Sequence, residues 1–176
     1  EKFSILQYSD LAIPSLVSSS SAALLDFFKN HTTGKAVLKP LDLYGGRGVI
    51  LLESDGTSEQ DLAVSKAITQ ETSSDKFYRM IQPFLEEIYE GEIRCFAAAG
   101  EPVAWTRKIP AKGTFMATTR MGATSQEYEP SAAEVDSLRK LSQSLLKKGV
   151  SLVGYDLIAG KVSEINITSP RLLAPS

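Results

Sequence analysis

Apolar residues recur at helical spacing in three stretches of the chain and alternate or cluster in short runs elsewhere, which predicts a mixed, mostly antiparallel α+β fold. Ser20 and Ser21 can cap a first helix that runs to about Asn30, with Leu24, Leu25, Phe27 and Phe28 as its apolar side. A short strand is expected from Ala36 to Lys39, ended by Pro40, and another from Val49 to Leu52. Between them lies the glycine-rich turn Leu41-Asp42-Leu43-Tyr44-Gly45-Gly46-Arg47-Gly48. A second helix is predicted near Ser58 to Thr69, and a strand from Tyr78 to Gln82 stops at Pro83. Glu92–Ala98 and Pro102–Ile109 flank an Ala99-Gly100-Glu101 turn and read as a hairpin, followed by a loop from Lys112 to Ser125. Ser131 with Glu134 forms a capping box for a third helix, whose Val135, Leu138, Leu141 and Leu145 line one side and which stops at Gly149. Pro83 divides the pattern into two lobes, 1–83 and 84–176.

The last hairpin carries the most specific chemistry. Val153–Ile158 and Val162–Ile167 are β-branched enough for strands, and Ala159-Gly160-Lys161 reads as a three-residue turn with Gly in the left-handed position. That turn sets Asp156 opposite Glu164 and Gly154 opposite Asn166, so that Asp156, Glu164 and Asn166 share one face while Leu157, Ile165 and Ile167 take the other. Facing carboxylates repel unless a cation lies between them, and an all-oxygen set suits Mg²⁺ or Mn²⁺. Gly154 leaves the same face open to an approaching phosphate. The competing reading is an ordinary hairpin with an acidic solvent face.

Composition narrows the alternatives. At 176 residues and 43% hydrophobic content, the chain can bury one sizeable core, divided here into two lobes. A net charge of -2 with no basic face argues against nucleic acid or a membrane surface as partner. The single Cys95 rules out an internal disulfide and fits a reducing cytoplasm. Neither a secretory signal nor an apolar run near 18 residues is present, and the opening at Glu1 without Met fits a fragment or processed product.

The remaining candidates are individually weak. His31, the only histidine, sits at a predicted helix end and reads as a surface residue, and without a second histidine a Ser-His-Asp triad or a histidine zinc site is hard to build. Cys95 lies mid-strand beside Phe96 and reads as a buried hydrophobe rather than a nucleophile. These exclusions leave electrostatic catalysis, which suits phosphoryl chemistry. The Gly45-Gly46-Arg47-Gly48 loop can wrap a phosphate with backbone N–H groups or be a plain turn. Lys39 can aim its ammonium at the same phosphates or be solvated. Glu92 and Arg94 share a strand face that can bind a sugar hydroxyl and an anion, or form a surface ion pair, and Arg107 with Lys108 adds positive charge nearby.

Gly154-Tyr155-Asp156-Leu157-Ile158 with Glu164-Ile165-Asn166-Ile167-Thr168-Ser169-Pro170 resembles the C-terminal signature of bacterial glutathione synthetases, members of the ATP-grasp superfamily of carboxylate–amine ligases. Leu38-Lys39-Pro40-Leu41-Asp42 with Gly45-Gly46 is similar to the family's phosphate-loop segment. Gly91-Glu92-Ile93-Arg94, Gly100-Glu101-Pro102-Val103 and Lys108-Ile109-Pro110 match its next hairpin, and Glu1-Lys2 its opening, so the likeness spans nearly the whole chain.

The resemblance implies an ATP-grasp fold, two α+β lobes enclosing ATP between antiparallel sheets, and a cytoplasmic ligase that joins a γ-glutamylcysteine-like carboxylate to glycine through an acyl phosphate. It places Lys2 and Lys39 at the phosphates and adenine region, with Gly45 and Gly46 in the phosphate loop. Gln82, Phe84 and Leu85 form the adenine hinge, and Glu92 stands where the family has a ribose-binding aspartate. Arg94 is the catalytic cation, and Asp156, Glu164 and Asn166 hold two Mg²⁺ or Mn²⁺ ions. Lys108 and Ser169 fall at substrate positions. The chain departs from the family at Phe115-Met116-Ala117, where an Arg-Gly-Asn run is usual, at Met121-Gly122, at Lys108 in place of arginine and at Arg171. These changes touch the loop that closes over substrate, so two rivals stand beside the first reading: another ATP-grasp peptide or amino-acid ligase, and a non-catalytic nucleotide-binding module. The family's N-terminal substrate domain is expected to be missing, and a homo-oligomer through the full-length protein is compatible with all three.

Overall fold

In the computed structural model, which describes residues 2–168 and 170, the chain separates into two units. One is Ala12–Phe84; the other combines the described residues of Glu1–Leu11 with those of Leu85–Ser176. The chain therefore divides one residue beyond the expected lobe boundary, and residues 2–11 pack with the second unit rather than the first. The cause is local. Lys2–Tyr8 winds into a 3₁₀ turn that buries Ile5, Val162 N donates to Leu11 O (2.9 Å), and Lys148 Nζ donates to Gln7 Oε1 (2.9 Å).

The Ala12–Phe84 unit runs β1 (Leu16–Ser18), α1 (Ser21–His31), β2 (Lys35–Pro40), β3 (Ile50–Glu53), α2 (Ser58–Glu71) and β4 (Arg79–Pro83). Its sheet has the order β1-β4-β2-β3, antiparallel throughout. Ser20 caps α1 by accepting from Ala23 N (3.3 Å), and Thr57 caps α2 by accepting from Gln60 N (3.4 Å). Alternation along the strands sorts the faces. Ala36, Leu38, Leu52 and Ile81 pack under Leu24, Phe27 and Phe28 of α1 and Val64 and Ile68 of α2. The opposite face carries Val37 and Lys39, paired with Gln82 and Met80. Strand β1 is absent from the sequence reading, since three residues are too few to show a period.

The second unit contains β5 (Glu92–Ala98), β6 (Glu101–Ile109), β7 (Thr124–Glu127), α3 (Ala132–Lys147), β8 (Leu152–Ile158) and β9 (Lys161–Asn166), with a short 3₁₀ turn at Glu86–Glu90. Its sheet has the order β7-β6-β5-β8-β9. The capping box forms as expected, with Glu134 N donating to Ser131 Oγ (3.2 Å) and Ser131 N to Glu134 Oε2 (2.8 Å). Leu138, Leu141 and Leu145 of α3 are buried, and Ser142 Oγ meets Tyr155 Oη at 2.9 Å, which fixes α3 on the face that holds the row Trp105-Cys95-Tyr155-Ile165. Two expectations need correction here. The loop predicted over 112–125 ends in β7, which pairs with β6 although all four of its residues are exposed and give no hydrophobic alternation. The last turn is the two-residue Ala159-Gly160, both left-handed (φ 50° and 73°), and Lys161 already pairs with Ile158. A bulge between Asp156 and Leu157 takes up the extra residue, so the register farther from the turn remains as predicted. Among the described residues, no helix is long and apolar enough to cross a membrane.

Candidate active site

One step along the strands from the apolar row, the five-stranded sheet carries a polar one: Glu127 of β7, Thr106 of β6, Arg94 of β5, Asp156 of β8 and Glu164 of β9 are successive cross-strand partners. Side chains alternate between faces, so this row points away from α3. Gly154 and Asn166 form the next pair on the same face, and Glu92 and Lys108 face each other on the other side of Arg94. The sheet therefore brings six of the candidate residues onto one surface: Glu92, Arg94, Lys108, Asp156, Glu164 and Asn166.

The centre of the row is an ion pair. Arg94 Nη2 donates to Asp156 Oδ2 at 2.9 Å, and Arg94 Nε lies 2.6 Å from Oδ1. The second contact is ionic but too bent for a hydrogen bond, so Oδ1 accepts none, and Arg94 Nε donates none. Asn166 Nδ2 donates to Oδ2 at 3.1 Å. Asp156 is only 3% exposed, which corrects the solvent-facing alternative: this hairpin face buries its carboxylate. Burial of a charge is tolerated only when it is paired, and Arg94 supplies the pairing. The role expected of Gly154 also changes. A Cβ there would sit 3.0 Å from Arg94 Nη1, so the glycine makes room for the guanidinium rather than an open approach for phosphate.

The donor set fits a hard divalent cation. Asp156 presents a buried oxygen with no hydrogen bond, Glu164 lies directly opposite, and Asn166 adds a carboxamide on the same face. All are oxygen donors, the chemistry of Mg²⁺ or Mn²⁺ rather than zinc. Among the described residues no group of three or more His, Cys, Asp or Glu is placed to hold a metal ion. On the far side of the sheet Cys95 is fully buried, and burial pushes its thiol up to about 12 against the pull of the Arg94 charge. It is protonated at neutral pH and is not a nucleophile.

The Ala12–Phe84 unit holds a second group. Lys39 Nζ donates to Gln82 Oε1 at 2.6 Å across β2 and β4. The glycine-rich segment after β2 turns tightly, with Gly45, Gly46 and Gly48 at φ of 63°, 74° and 67°, conformations that a side chain would strain. Gly45 is exposed, and Arg47 stacks over the Tyr44 ring at 5.3 Å. Phe84 is the last residue of this unit and Leu85 the first of the resumed second unit. Lys2 falls in the opening 3₁₀ turn, with its side chain outside the described residues, and Ser169 lies outside them altogether.

Sequence reasoning placed Arg94 and Asp156 in separate hairpins and missed their contact. The pairing of β5 with β8 spans about sixty residues and has no local signature. The available signal was electrostatic, since an acidic strand face that excludes water needs a cation on the neighbouring strand.

The model of the prokaryotic glutathione synthetase ATP-grasp domain matches residues 1–174. A glutathione synthetase of Prochlorococcus marinus subsp. pastoris is 35% identical over 171 residues, which are 97% of this chain and 53% of that one. The chain spans about half the length of the curated relatives it matches. Among solved structures, a D-cycloserine synthetase superposes with a TM-score of 0.66 at 17% identity, over 93% of this chain and 59% of the other. The ATP-grasp ligase PsnB, complexed with minimal precursor, Mg and ADP, superposes with a TM-score of 0.60 at 18% identity, over 94% and 48%. At such identities these two establish the fold alone, and it is the expected ATP-grasp α+β fold.

Proposed function

The chain belongs to the prokaryotic glutathione synthetase ATP-grasp family, and from that membership we propose that the protein works in ATP-dependent carboxylate–amine ligation of the glutathione synthetase type. A γ-glutamylcysteine-like carboxylate attacks the γ-phosphorus of ATP, the bond to ADP breaks, and an acyl phosphate forms. The amine of glycine then adds to the acyl carbon, inorganic phosphate leaves, and the nitrogen gives up a proton as the amide forms.

Asp156 and Glu164, with Asn166, are the residues that would hold Mg²⁺ or Mn²⁺, as two ions. Such ions, when bound, neutralise negative charge on the phosphate oxygens. Arg94 keeps Nε and Nη2 on Asp156 and turns Nη1, which lies over Gly154, toward the transferring phosphoryl group. The planar fork suits this divided task, which a lysine could not perform. Lys39, Lys2 and the Gly45-Gly46 loop meet the nucleotide phosphates. Gln82, Phe84 and Leu85 receive adenine, Glu92 the ribose, and Lys108 and Ser169 the acceptor side.

The observation that carries this reading is the buried Asp156 carboxylate, with one oxygen that accepts no hydrogen bond, in line with Arg94 and Glu164 across the sheet. Phosphate release from ATP with Mg²⁺ and both substrates tests it. Asp156→Asn lowers turnover by about a hundredfold or more while the far-ultraviolet dichroism is unchanged; turnover within a few-fold of wild type rejects the assignment. The departures at Phe115-Met116-Ala117 and Lys108 favour a second reading with a different amino-acid or peptide acceptor, which the same assay detects when run across a panel of acceptors. ATP binding without phosphate release under every acceptor would instead identify a nucleotide-binding module.

A further inference from the structure

Gln82 has no exposed surface, and its carboxamide links Lys39 to Ser15, with Oε1 accepting from Lys39 Nζ (2.6 Å) and Nε2 donating to Ser15 Oγ (2.8 Å). Ser15 Oγ in turn donates to the carbonyl of Ile13 at 2.7 Å. Every direction in this chain is fixed without sight of a hydrogen. The Lys39 ammonium has only donors, so the amide must turn its oxygen to it and its nitrogen to Ser15. The serine oxygen must then accept, and its own proton goes to the Ile13 carbonyl, which can only accept. The register explains why these groups meet. Leu16 pairs with Ile81, so Ser15, one residue before β1, comes level with Gln82, on the sheet face opposite α1 and α2.

We propose that Ser15 is a positioning residue that, through Gln82, fixes where the Lys39 ammonium points. The inference rests on the reading above in which Lys39 meets the nucleotide phosphates. A lysine carries about four rotatable bonds and loses much side-chain entropy when it is held in one place. An ammonium anchored beforehand to a buried, oriented carbonyl has already met part of that cost before ATP arrives. Without the Ser15 hydroxyl, the Gln82 amide loses an anchor on its nitrogen side, and the oxygen that holds Lys39 is less firmly placed.

The experiment is ATP titration with Mg²⁺ by calorimetry on the wild type, K39M, S15A, S15V, S15T and the S15V/K39M double variant. K39M is expected to weaken ATP binding about tenfold or more. S15V and S15A weaken it about five- to tenfold, and S15T, which differs from S15V by a hydroxyl in place of a methyl, returns within about twofold of wild type. In the K39M background, S15V costs nothing further, because the group it positions is gone. If K39M binds ATP like the wild type, the Lys39 assignment fails and the Ser15 inference falls with it. If K39M is weak but S15V and S15A match the wild type, Lys39 stands and the Ser15 inference is wrong. If S15V weakens binding equally in both backgrounds, or if S15T is as weak as S15V, Ser15 acts on packing alone and the inference is also overturned. Should S15A fail to fold, the S15V and S15T pair decides.

Discussion

Replacing Arg94 with Met removes the charge and keeps an apolar stem of similar length, which isolates what the guanidinium does for Asp156. The two side chains are 16% and 4% exposed, and the closest approach is 2.6 Å. Charge centres about 4 Å apart attract by about 4 kcal/mol at an effective dielectric of about 20. That agrees with the cost of about 3–5 kcal/mol for stripping one partner from a buried pair. Asn166 still donates to Asp156 Oδ2 in the variant, so the loss belongs near the lower end, about 3 kcal/mol. The single tryptophan of the chain, Trp105, lies on β6 opposite Cys95, the residue next to Arg94. Its fluorescence during urea unfolding in chelator-treated buffer therefore reports on the unit in question. Arg94→Met should lower the unfolding free energy by about 3 kcal/mol, and Arg94→Met with Asp156→Asn should recover most of it, since no uncompensated charge is left. A single variant within about 1 kcal/mol of wild type, or a double variant no better than the single, would show that the pair does not hold this face together.

Gly154→Ala should cost about 1 kcal/mol in the same titration, because the new methyl meets Arg94 Nη1 at 3.0 Å and the guanidinium must yield; an alanine variant as stable as the wild type would contradict the role given to this glycine. Stability of the same unit should also fall in alkali. The Cys95 thiol titrates at about 12 when folded against an ordinary 9.0, so its contribution is fully present below about pH 9 and is lost as pH rises through 12, by on the order of 1 kcal/mol per pH unit. Burial raises the Tyr155 hydroxyl in the same direction. Urea midpoints of wild type and Cys95→Ala from pH 8 to 11 check this, and identical slopes would show that the thiol makes no such contribution.

Much of the site was legible because its pieces are local. The pairing of Asp156 with Glu164 and of Gly154 with Asn166 follows from strand pattern and turn alone, and a bulge near the turn left both pairs intact. Ser131 and Glu134 announced α3 through a motif that spans four residues. What was illegible is long-range or patternless. The neighbouring of β5 and β8, which joins Arg94 to Asp156, depends on sheet order, and β7 consists of exposed residues with nothing to alternate. Ser15 was invisible for both reasons, since it precedes a three-residue strand and meets a partner 67 residues away. Gly154 was marked as a place of close approach, correctly in kind, but the approaching group is the protein's own guanidinium.

Whether Asp156 and Glu164 hold a divalent cation for ATP is decided by calorimetric titration of ATP with Mg²⁺ or with EDTA, into the wild type and the Asp156→Asn, Glu164→Gln variant. The wild type should bind ATP at least about tenfold more tightly with Mg²⁺ than with EDTA, and the variant with equal affinity in both. Equal affinity of the wild type with and without Mg²⁺, or an undiminished Mg²⁺ dependence in the variant, would contradict that role.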